Sequence, residues 1–471
     1  MNEAPTIIID DELLIRQPKE SDIEDRFKLG RSLEFRKMVG GSVIDLPPYE
    51  YDNAERLYQR EMKNKYSWFI EYKGKMIGVC RLRKQDTGAV RYSIGIYDDS
   101  LFSKGIGTKV TNAVVAFGFN DLGLEEIELM VLEFNKRAIR SYEKSGFKVT
   151  EIIKDSLEVD GNLHNDIIMK IKKEDRLHMN LERLFNEEIT SNEIIDKGFS
   201  LDKKVIINNK YLVRIIPLER YDKFKEVFRV QKDFEKVALC QKALRLTKDE
   251  MYAYYITEYL EGNNGLEVIE SYSNDKQYEL GKIAAKEIVK FHKAYPLPDY
   301  DMKKHLDQYL YTKIKVAIEQ NVKELLPEID EIIDLVKENI HHLYSLQGVQ
   351  THADYHLFNM IFHQGEYKGV IDFERVRPGS ILTDFRNNTP HNSKISPYFA
   401  SGYIDGYLDD VQIKDFFLMY NIYDLLLTIA AIPWVQQFDS ENVDKSIKII
   451  QSIFEQKSNL SNCPKWYVGR Y

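Results

Sequence analysis

His352-Ala353-Asp354-Tyr355-His356-Leu357-Phe358-Asn359, with Asp372-Phe373-Glu374 beginning thirteen positions past Asn359, decides the reading of the second half of this chain. Moving a γ-phosphoryl group requires a carboxylate beside the acceptor hydroxyl and oxygen ligands for magnesium. The stretch holds both. Asp354 is the base or orienting carboxylate, and Asn359 and Asp372 are the metal ligands, with a short hairpin of residues 360–362 and 369–371 between them. His352 reads as a brace that holds the loop by hydrogen bonds and does not act as a base.

Working outward, residues 193–199, 203–207 and 211–215 read as strands, a helix follows Arg220 and runs through Glu226, and beyond residues 255–259 the sequence is mostly helical. The arrangement resembles the aminoglycoside phosphotransferase family, whose fold is similar to that of protein kinases and whose catalytic loop has the pattern H-x-D-x-x-x-x-N. The resemblance spans about residues 190–465. It implies ATP or GTP as phosphoryl donor and Mg2+ as the metal. It also implies that Lys197-Gly198-Phe199-Ser200 turns over the phosphates, with Ser200 as a contact, that Glu226 pairs with a strand cation, and that backbone groups of Thr257 and Tyr259 face the adenine. The family's lysine is usually found where this chain has Arg214, which is charged and can contact phosphate, yet its planar fork does not replace an ammonium one for one. Asp384, Asp405, Asp409 and Asp410 lie where this family gathers carboxylates for cationic substrates; taken singly, each also reads as solvated surface.

Before residue 172 the pattern changes. Short β-rich runs (68–72, 76–83, 89–97, 126–131 and 165–171) alternate with amphipathic helices (107–118 and 136–145), as in an α/β domain. Ser103-Lys104-Gly105-Ile106-Gly107-Thr108 falls between a strand and a long helix. Glycines there let backbone N–H groups approach an anion, and the helix N-terminus adds a favourable dipole, a geometry suited to a pyrophosphate. Tight-turn glycines with no ligand would leave the same trace. Asn135-Lys136-Arg137-Ala138-Ile139-Arg140-Ser141-Tyr142-Glu143-Lys144-Ser145-Gly146-Phe147 follows one strand later.

Together these stretches resemble motifs A and B of the GNAT superfamily of acyl-CoA-dependent N-acetyltransferases, over roughly residues 12–172. The resemblance implies acetyl-CoA as cofactor, with Ser103, Lys104, Gly105, Ile106, Gly107 and Thr108 around its pyrophosphate. Asn135 would contact the pantetheine arm, and Tyr142 would give a proton to the departing thiolate; by itself Tyr142 also fits a helix aromatic packed on Phe147. Acetyl transfer to an amine needs a deprotonated nucleophile, strand amides for the oxyanion and an acid for the sulfur. Asp98 and Asp99 stand where the amine enters, which makes Asp98 the candidate base, or else the pair forms a turn. Phe102 occupies a place three residues before the first glycine where the family usually has Gln or Arg.

At 471 residues the chain exceeds what one hydrophobic core supports. The expected organisation is an α/β GNAT fold, a mixed twisted sheet with flanking helices, over 1–172; a helical linker over 173–190; and a bilobal, protein-kinase-like α+β domain over 191–471, its lobes divided near residue 260. The longest apolar run, residues 425–435, contains Pro433, has Asp424 at its edge and is too short for a bilayer, and residues 1–12 lack a basic leader. Cys80, Cys240 and Cys463 are too far apart to suggest a disulfide framework or a zinc ribbon. A net charge of −9 disfavours nucleic acid and suits cationic small substrates. The expectation is a cytoplasmic enzyme without nucleic-acid or membrane partners, acting on amines and hydroxyls of small molecules.

In domain order the chain resembles bifunctional aminoglycoside acetyltransferase-phosphotransferases of resistant bacteria, which implies antibiotic resistance and aminoglycosides as shared substrates. Fold and motif fix a reaction and leave the acceptor to loops. Three readings therefore stand side by side: that enzyme, a protein N-terminal or polyamine acetyltransferase joined to a metabolic kinase, and a kinase-like half that binds ligand without turnover.

Overall fold

The computed structural model describes residues 3–185, 187–195, 202–429, 431–438, 440–455 and 459–470. The chain divides into two compact units, Met1–Ile189 with Lys248–Tyr252, and Thr190–Thr247 with Ala253–Tyr471. Among the described residues no helix is long and apolar enough to cross a membrane.

In chain order the first unit contains β1 (Ile7–Ile8), β2 (Leu13–Arg16), α1 (Ser21–Leu29), α2 (Leu33–Met38), α3 (Tyr51–Lys63), β3 (Tyr66–Tyr72), β4 (Lys75–Lys84), β5 (Val90–Ile96), α4 (Ile106–Asn120), β6 (Glu126–Leu132), α5 (Lys136–Lys144), β7 (Lys148–Val159), β8 (Asn162–Lys172) and α6 (Lys173–Leu184). One sheet of order β1-β2-β3-β4-β5-β6-β8-β7 runs through it. Alternation along the strands sends Trp68, Ile70 and Cys80 to one face, against Val110, Val114 and Phe117 of α4, and sends Phe69 and Val79 to the other, against Leu57 of α3. Burial on both faces explains why β3 and β4 read as continuous apolar runs. Strand β7 escaped the sequence reading because nearly all its residues are exposed, so no two-residue hydrophobic alternation marks it.

The second unit begins with β9 (Asn192–Ile195), β10 (Lys203–Ile207), β11 (Tyr211–Ile216), α7 (Tyr221–Phe234), β12 (Ala243–Lys248) and β13 (Ala253–Glu258), which form a sheet of order β12-β13-β11-β10-β9 backed by the helix. Next come β14 (Asn263–Asn264), α8 (Gly265–Val268), α9 (Asn274–Ala294), α10 (Met302–Glu319), α11 (Ile329–Asn339), β15 (Gly348–Thr351), β16 (Met360–His363), β17 (Glu366–Val370) and β18 (Arg377–Ser380). The chain closes with α12 (Ser393–Ile395), α13 (Pro397–Leu408), α14 (Phe416–Thr428), α15 (Ala431–Phe438) and α16 (Val443–Phe454). A small antiparallel lobe followed by a helical one is the kinase-like arrangement. Helices α9 and α13 form the axis of the helical lobe and meet so closely that a Cβ at Gly402 would lie 2.1 Å from the Tyr278 carbonyl oxygen.

Candidate active sites

In the first unit, β5 and β6 run parallel but are in register only at Arg91 and Glu128. Beyond that pair β5 stays on β4 and β6 stays on β8, so the two strands part and the β6-facing edge of β5 has no ladder. An unladdered edge presents backbone N–H and C=O groups to whatever enters the gap.

The start of α4 lies beside this gap. Ser103 and Gly105 both take positive φ (62° and 81°), and Gly105 is the left-handed N-cap. Ser103, Lys104 and Gly105 are exposed, and a Cβ built on Gly105 would have no atom within 4 Å, so the loop is open to an incoming group. Ile106 is buried and anchors the helix, while Thr108 is bonded to Ser141 of α5 at 2.8 Å. Arg137 of α5 stacks over Phe102 at 3.9 Å, so a cation reaches the loop where the sequence lacks Gln or Arg.

Asn135 is accounted for by structure: its Oδ1 caps α5 at the Ala138 amide (3.1 Å) and its Nδ2 donates to the Met38 carbonyl (3.2 Å). Asp98 caps the short turn of residues 99–101 by accepting from the Ser100 amide at 3.0 Å, and Asp99 bonds Ser32, the turn-forming role for both. Tyr142 points inward from α5 with its ring edge-on to Tyr92 (6.5 Å) and Phe147 (6.1 Å). Burial pushes its phenol up to about 12, so it carries its proton throughout the neutral range.

In the second unit the catalytic loop is held from many directions. His352 is fully buried; its Nε2 donates to the Ile371 carbonyl (3.2 Å) and its Nδ1 accepts from the Asp354 amide (3.2 Å). Burial keeps its imidazole below the ordinary value, hence neutral. Ala353 takes φ 63°, a left-handed conformation unusual for a residue with a Cβ. Asp384 holds it there, accepting from the amides of Ala353 (2.5 Å) and His352 (3.2 Å) and pairing with His292 (2.9 Å).

This corrects the reading of Asp384 as a surface or substrate-gathering carboxylate: it is 1% exposed and serves the loop. Asp405 is likewise buried, bound by Tyr278, Tyr467 and Arg470, and Asp409 pairs with Lys282 and Arg470. Tight folding of α13 against α9 and the C-terminal segment turned Asp384 and Asp405 inward, whereas Asp409 and Asp410 stay on the surface.

Asp354 and Asn359 meet. Asn359 Nδ2 donates to the Asp354 carboxylate (3.1 Å) and carbonyl (3.0 Å), and Asn387 Nδ2 donates to the other carboxylate oxygen (3.1 Å). Burial alone would raise the Asp354 carboxyl; the His356 hydrogen bond and the charges of His356 and Arg375 outweigh it and hold the group well below the usual carboxylate range. The Ile371 amide donates to the Asn359 carbonyl (2.8 Å), which brings the left-handed Asp372 to the same place. Asn359 therefore keeps Oδ1, and Asp372 an oxygen, for a hard cation.

Arg214 is buried among carboxylates. Its Nε donates to Asp202 (2.7 Å), one terminal nitrogen to Asp372 (3.2 Å) and the other to Glu374. Glu374 also takes Arg220 (2.5 Å) and Lys223 (2.8 Å); burial works to raise it, but Arg214, Lys223 and Arg220 hold it down at about 2.

The expected Glu226–Arg214 pair does not form. The helical phase that buries Phe224, Val227, Val230, Gln231 and Phe234 turns Glu226 outward, where it binds Arg229. Ser200 and the turn of residues 197–200 lie outside the described residues.

The backbone groups of Thr257 and the amide of Tyr259 are also committed within the sheet. The Tyr259 amide donates to the Lys210 carbonyl (2.7 Å), and because bonded and non-bonded pairs alternate along an antiparallel ladder, Thr257 opposite Leu212 is a bonded pair too. Among the described residues the first amides of this connection without a partner are those of Leu260 and Glu261.

Two family descriptions match the chain: "Acetyltransferase (GNAT) domain" over residues 12–148 and "Phosphotransferase enzyme family" over residues 192–412. Solved structures similar to parts of it include a gentamicin complex of APH(2'')-IIa, 17% identical over 60% of this chain and 96% of that one, with a TM-score of 0.45. An ADP-bound aminoglycoside phosphotransferase APH(2'')-Ib is 17% identical over 60% and 98%, with a TM-score of 0.43. Spermidine N-acetyltransferase from Vibrio cholerae, solved with CoA and spermine, is 20% identical over 36% and 99%, with a TM-score of 0.31.

Proposed function

We infer, from a chain that carries a GNAT acetyltransferase domain followed by a phosphotransferase-family domain, that this bifunctional group transferase N-acetylates and O-phosphorylates one class of small polycationic molecules, the aminoglycosides. The observation that carries the reading is the convergence of Asp354, Asn359 and Asp372 on one loop junction, while the Ser103–Gly105 turn stands open beside the parted strands. Amine acetylation and hydroxyl phosphorylation share few acceptors; amino sugars carry both groups. The net charge of −9 favours such cations.

Acetyl-CoA is the acyl donor of this reading. The amides around Gly105 bind its pyrophosphate, the unladdered edge of β5 stabilises the carbonyl oxyanion, and Tyr142, protonated by burial, gives its proton to the leaving sulfur. ATP or GTP is the phosphoryl donor. Asn359 and Asp372 would hold Mg2+, which supplies charge neutralisation at the phosphates. Asp354 is too acidic to remove the acceptor proton before transfer. It accepts a hydrogen bond from the hydroxyl, aims it, and takes the proton as the bond to phosphorus forms, as a loose transition state allows.

A second reading, in which the kinase-like unit binds ligand without turnover, is favoured by the Arg214–Asp372 pair, which engages a metal ligand. Incubating the full chain with acetyl-CoA, or with ATP or GTP and magnesium, against an aminoglycoside panel separates the two. Acetylated and phosphorylated products are expected. Consumption of polyamines, peptides or simple alcohols in their place would redirect the substrate assignment, and nucleotide binding without any transfer would establish the second reading.

A further inference from the structure

The strand cation of the second site is already engaged by carboxylates. Each nitrogen of the Arg214 guanidinium donates to a different carboxylate, those of Asp202, Asp372 and Glu374. The neighbouring Arg220 and Lys223 are held on Glu374 as well. Turning Arg214 to a phosphate would break all three of these pairs at once, one of them with the buried Asp202.

Directly across the ladder, Lys204 of β10 is in register with Arg214 of β11. Opposed residues of an antiparallel pair emerge on the same face with Cβ atoms roughly 5 Å apart. Lys204 therefore rises from the face that carries the Asp372 junction. It is only partly exposed, and among the described residues its ammonium makes no hydrogen bond or ion pair. Two cations directly opposed on a ladder destabilise it. The arrangement is tolerated here because Asp202, Asp372 and Glu374 all act on Lys204 as they do on Arg214, although burial, the largest influence, still depresses its ammonium below the ordinary lysine value. A half-buried ammonium that makes no hydrogen bond or ion pair among the described residues, at the metal-ligand end of the site, keeps its donors for an incoming anion.

We propose that Lys204 is the phosphate-binding cation of the second site, donating its ammonium to the nucleoside triphosphate, and that Arg214 is a positioning residue that fixes Asp372 and Glu374. The division suits the side chains: a compact point charge for phosphate, a rigid fork for several carboxylates. The proposal rests on reading the second unit as nucleotide-dependent.

Titration of the full chain with ATP and GTP in the presence of magnesium, and with adenosine and guanosine, tests it. Lys204→Met keeps the apolar stem and deletes the charge. Its affinity for the preferred triphosphate is expected to fall at least tenfold, ~1.4 kcal/mol, with nucleoside affinity and melting temperature unchanged. Lys204→Arg, which retains charge, should recover part of the loss and provides the readout if the methionine variant does not fold. Triphosphate affinity within about twofold of wild type in a folded Lys204→Met or Lys204→Ala protein would overturn the assignment of Lys204 alone, since wild-type binding would stand. A wild-type chain that binds neither triphosphate removes the phosphotransferase reading and this proposal with it.

Discussion

The loop at residues 103–108 and the loop at residues 352–359 are both proposed to receive phosphorylated ligands, and they are built from opposite materials. The first is exposed, positive in φ at two residues, and offers backbone amides with hardly any side-chain engagement. The second is buried, and its functional side chains are fixed by residues far away in sequence: Asp384 on Ala353, Asn387 on Asp354, Arg214 on Asp372. A backbone cradle is built by local conformation and depends on few side chains. A side-chain site is assembled by the tertiary fold, and every carboxylate in it must find a partner.

Substitutions should reveal that difference. The largest effect is expected for Asp354→Asn, which leaves the loop its shape and removes the orienting carboxylate: phosphoryl transfer should fall by ~10³-fold, while acetyl transfer in the same preparation is unchanged. Loss of both activities together would break the contrast. The pH profile sharpens it. Asp354 is held below the usual carboxylate range, so its ionised form, and the stability it contributes, is present above the ordinary value and lost only as pH falls through the lowered one. Phosphoryl transfer should therefore show no acid limb from this group between about pH 5 and 8; one that disappears in Asp354→Asn would contradict the assignment.

Tyr142→Phe comes next, with kcat for acetyl transfer down ~10²-fold and little change in the KM for acetyl-CoA. A phenol raised to about 12 keeps its proton as pH rises, so no basic limb from Tyr142 is expected near neutrality. If the Phe variant is fully active, Tyr142 serves only to pack against Tyr92 and Phe147. Asp384→Asn should have a smaller effect, ~10-fold on phosphoryl transfer, because an amide offers one acceptor oxygen where the loop uses two, and a hydrogen bond to a charged group contributes ~1.5–3 kcal/mol. A lowered melting temperature is expected with it, from the strained Ala353 losing its anchor.

Legibility in the sequence followed the same divide. Asp354, Asn359 and Asp372 could be named because their spacing is set by one loop and one hairpin, and Ser103 to Thr108 because glycines between a strand and a helix leave a local signature. Glu226 was misassigned although the phase was there to read: Phe224, Val227, Gln231 and Phe234 mark the inward stripe of α7, and Glu226 is off it. Asp202, Asn387 and Asp384 left no local trace, since each acquires its role from a partner brought by tertiary folding, and a buried acid looks in sequence like an exposed one. That Thr257 and the Tyr259 amide turn into the sheet was hidden for a subtler reason: which backbone groups of a strand face outward depends on the bonded or non-bonded phase of its ladder, which no side-chain pattern reports.

The smallest predicted effect is also the one that isolates the backbone cradle. Gly105 sits at φ 81° with open space around the missing Cβ, so Gly105→Ala meets no steric obstacle and bears only the conformational cost of a left-handed residue, ~1 kcal/mol. If the amides of this turn bind pyrophosphate, that cost appears as a KM for acetyl-CoA raised about fivefold to tenfold, with phosphoryl transfer untouched. Ser103→Ala in the same loop alters a side chain that makes no hydrogen bond among the described residues and should shift the KM by less than about twofold. Should the serine variant prove the more damaging of the two, the first site would be read through its side chains after all, and the contrast with the catalytic loop of the second unit would collapse.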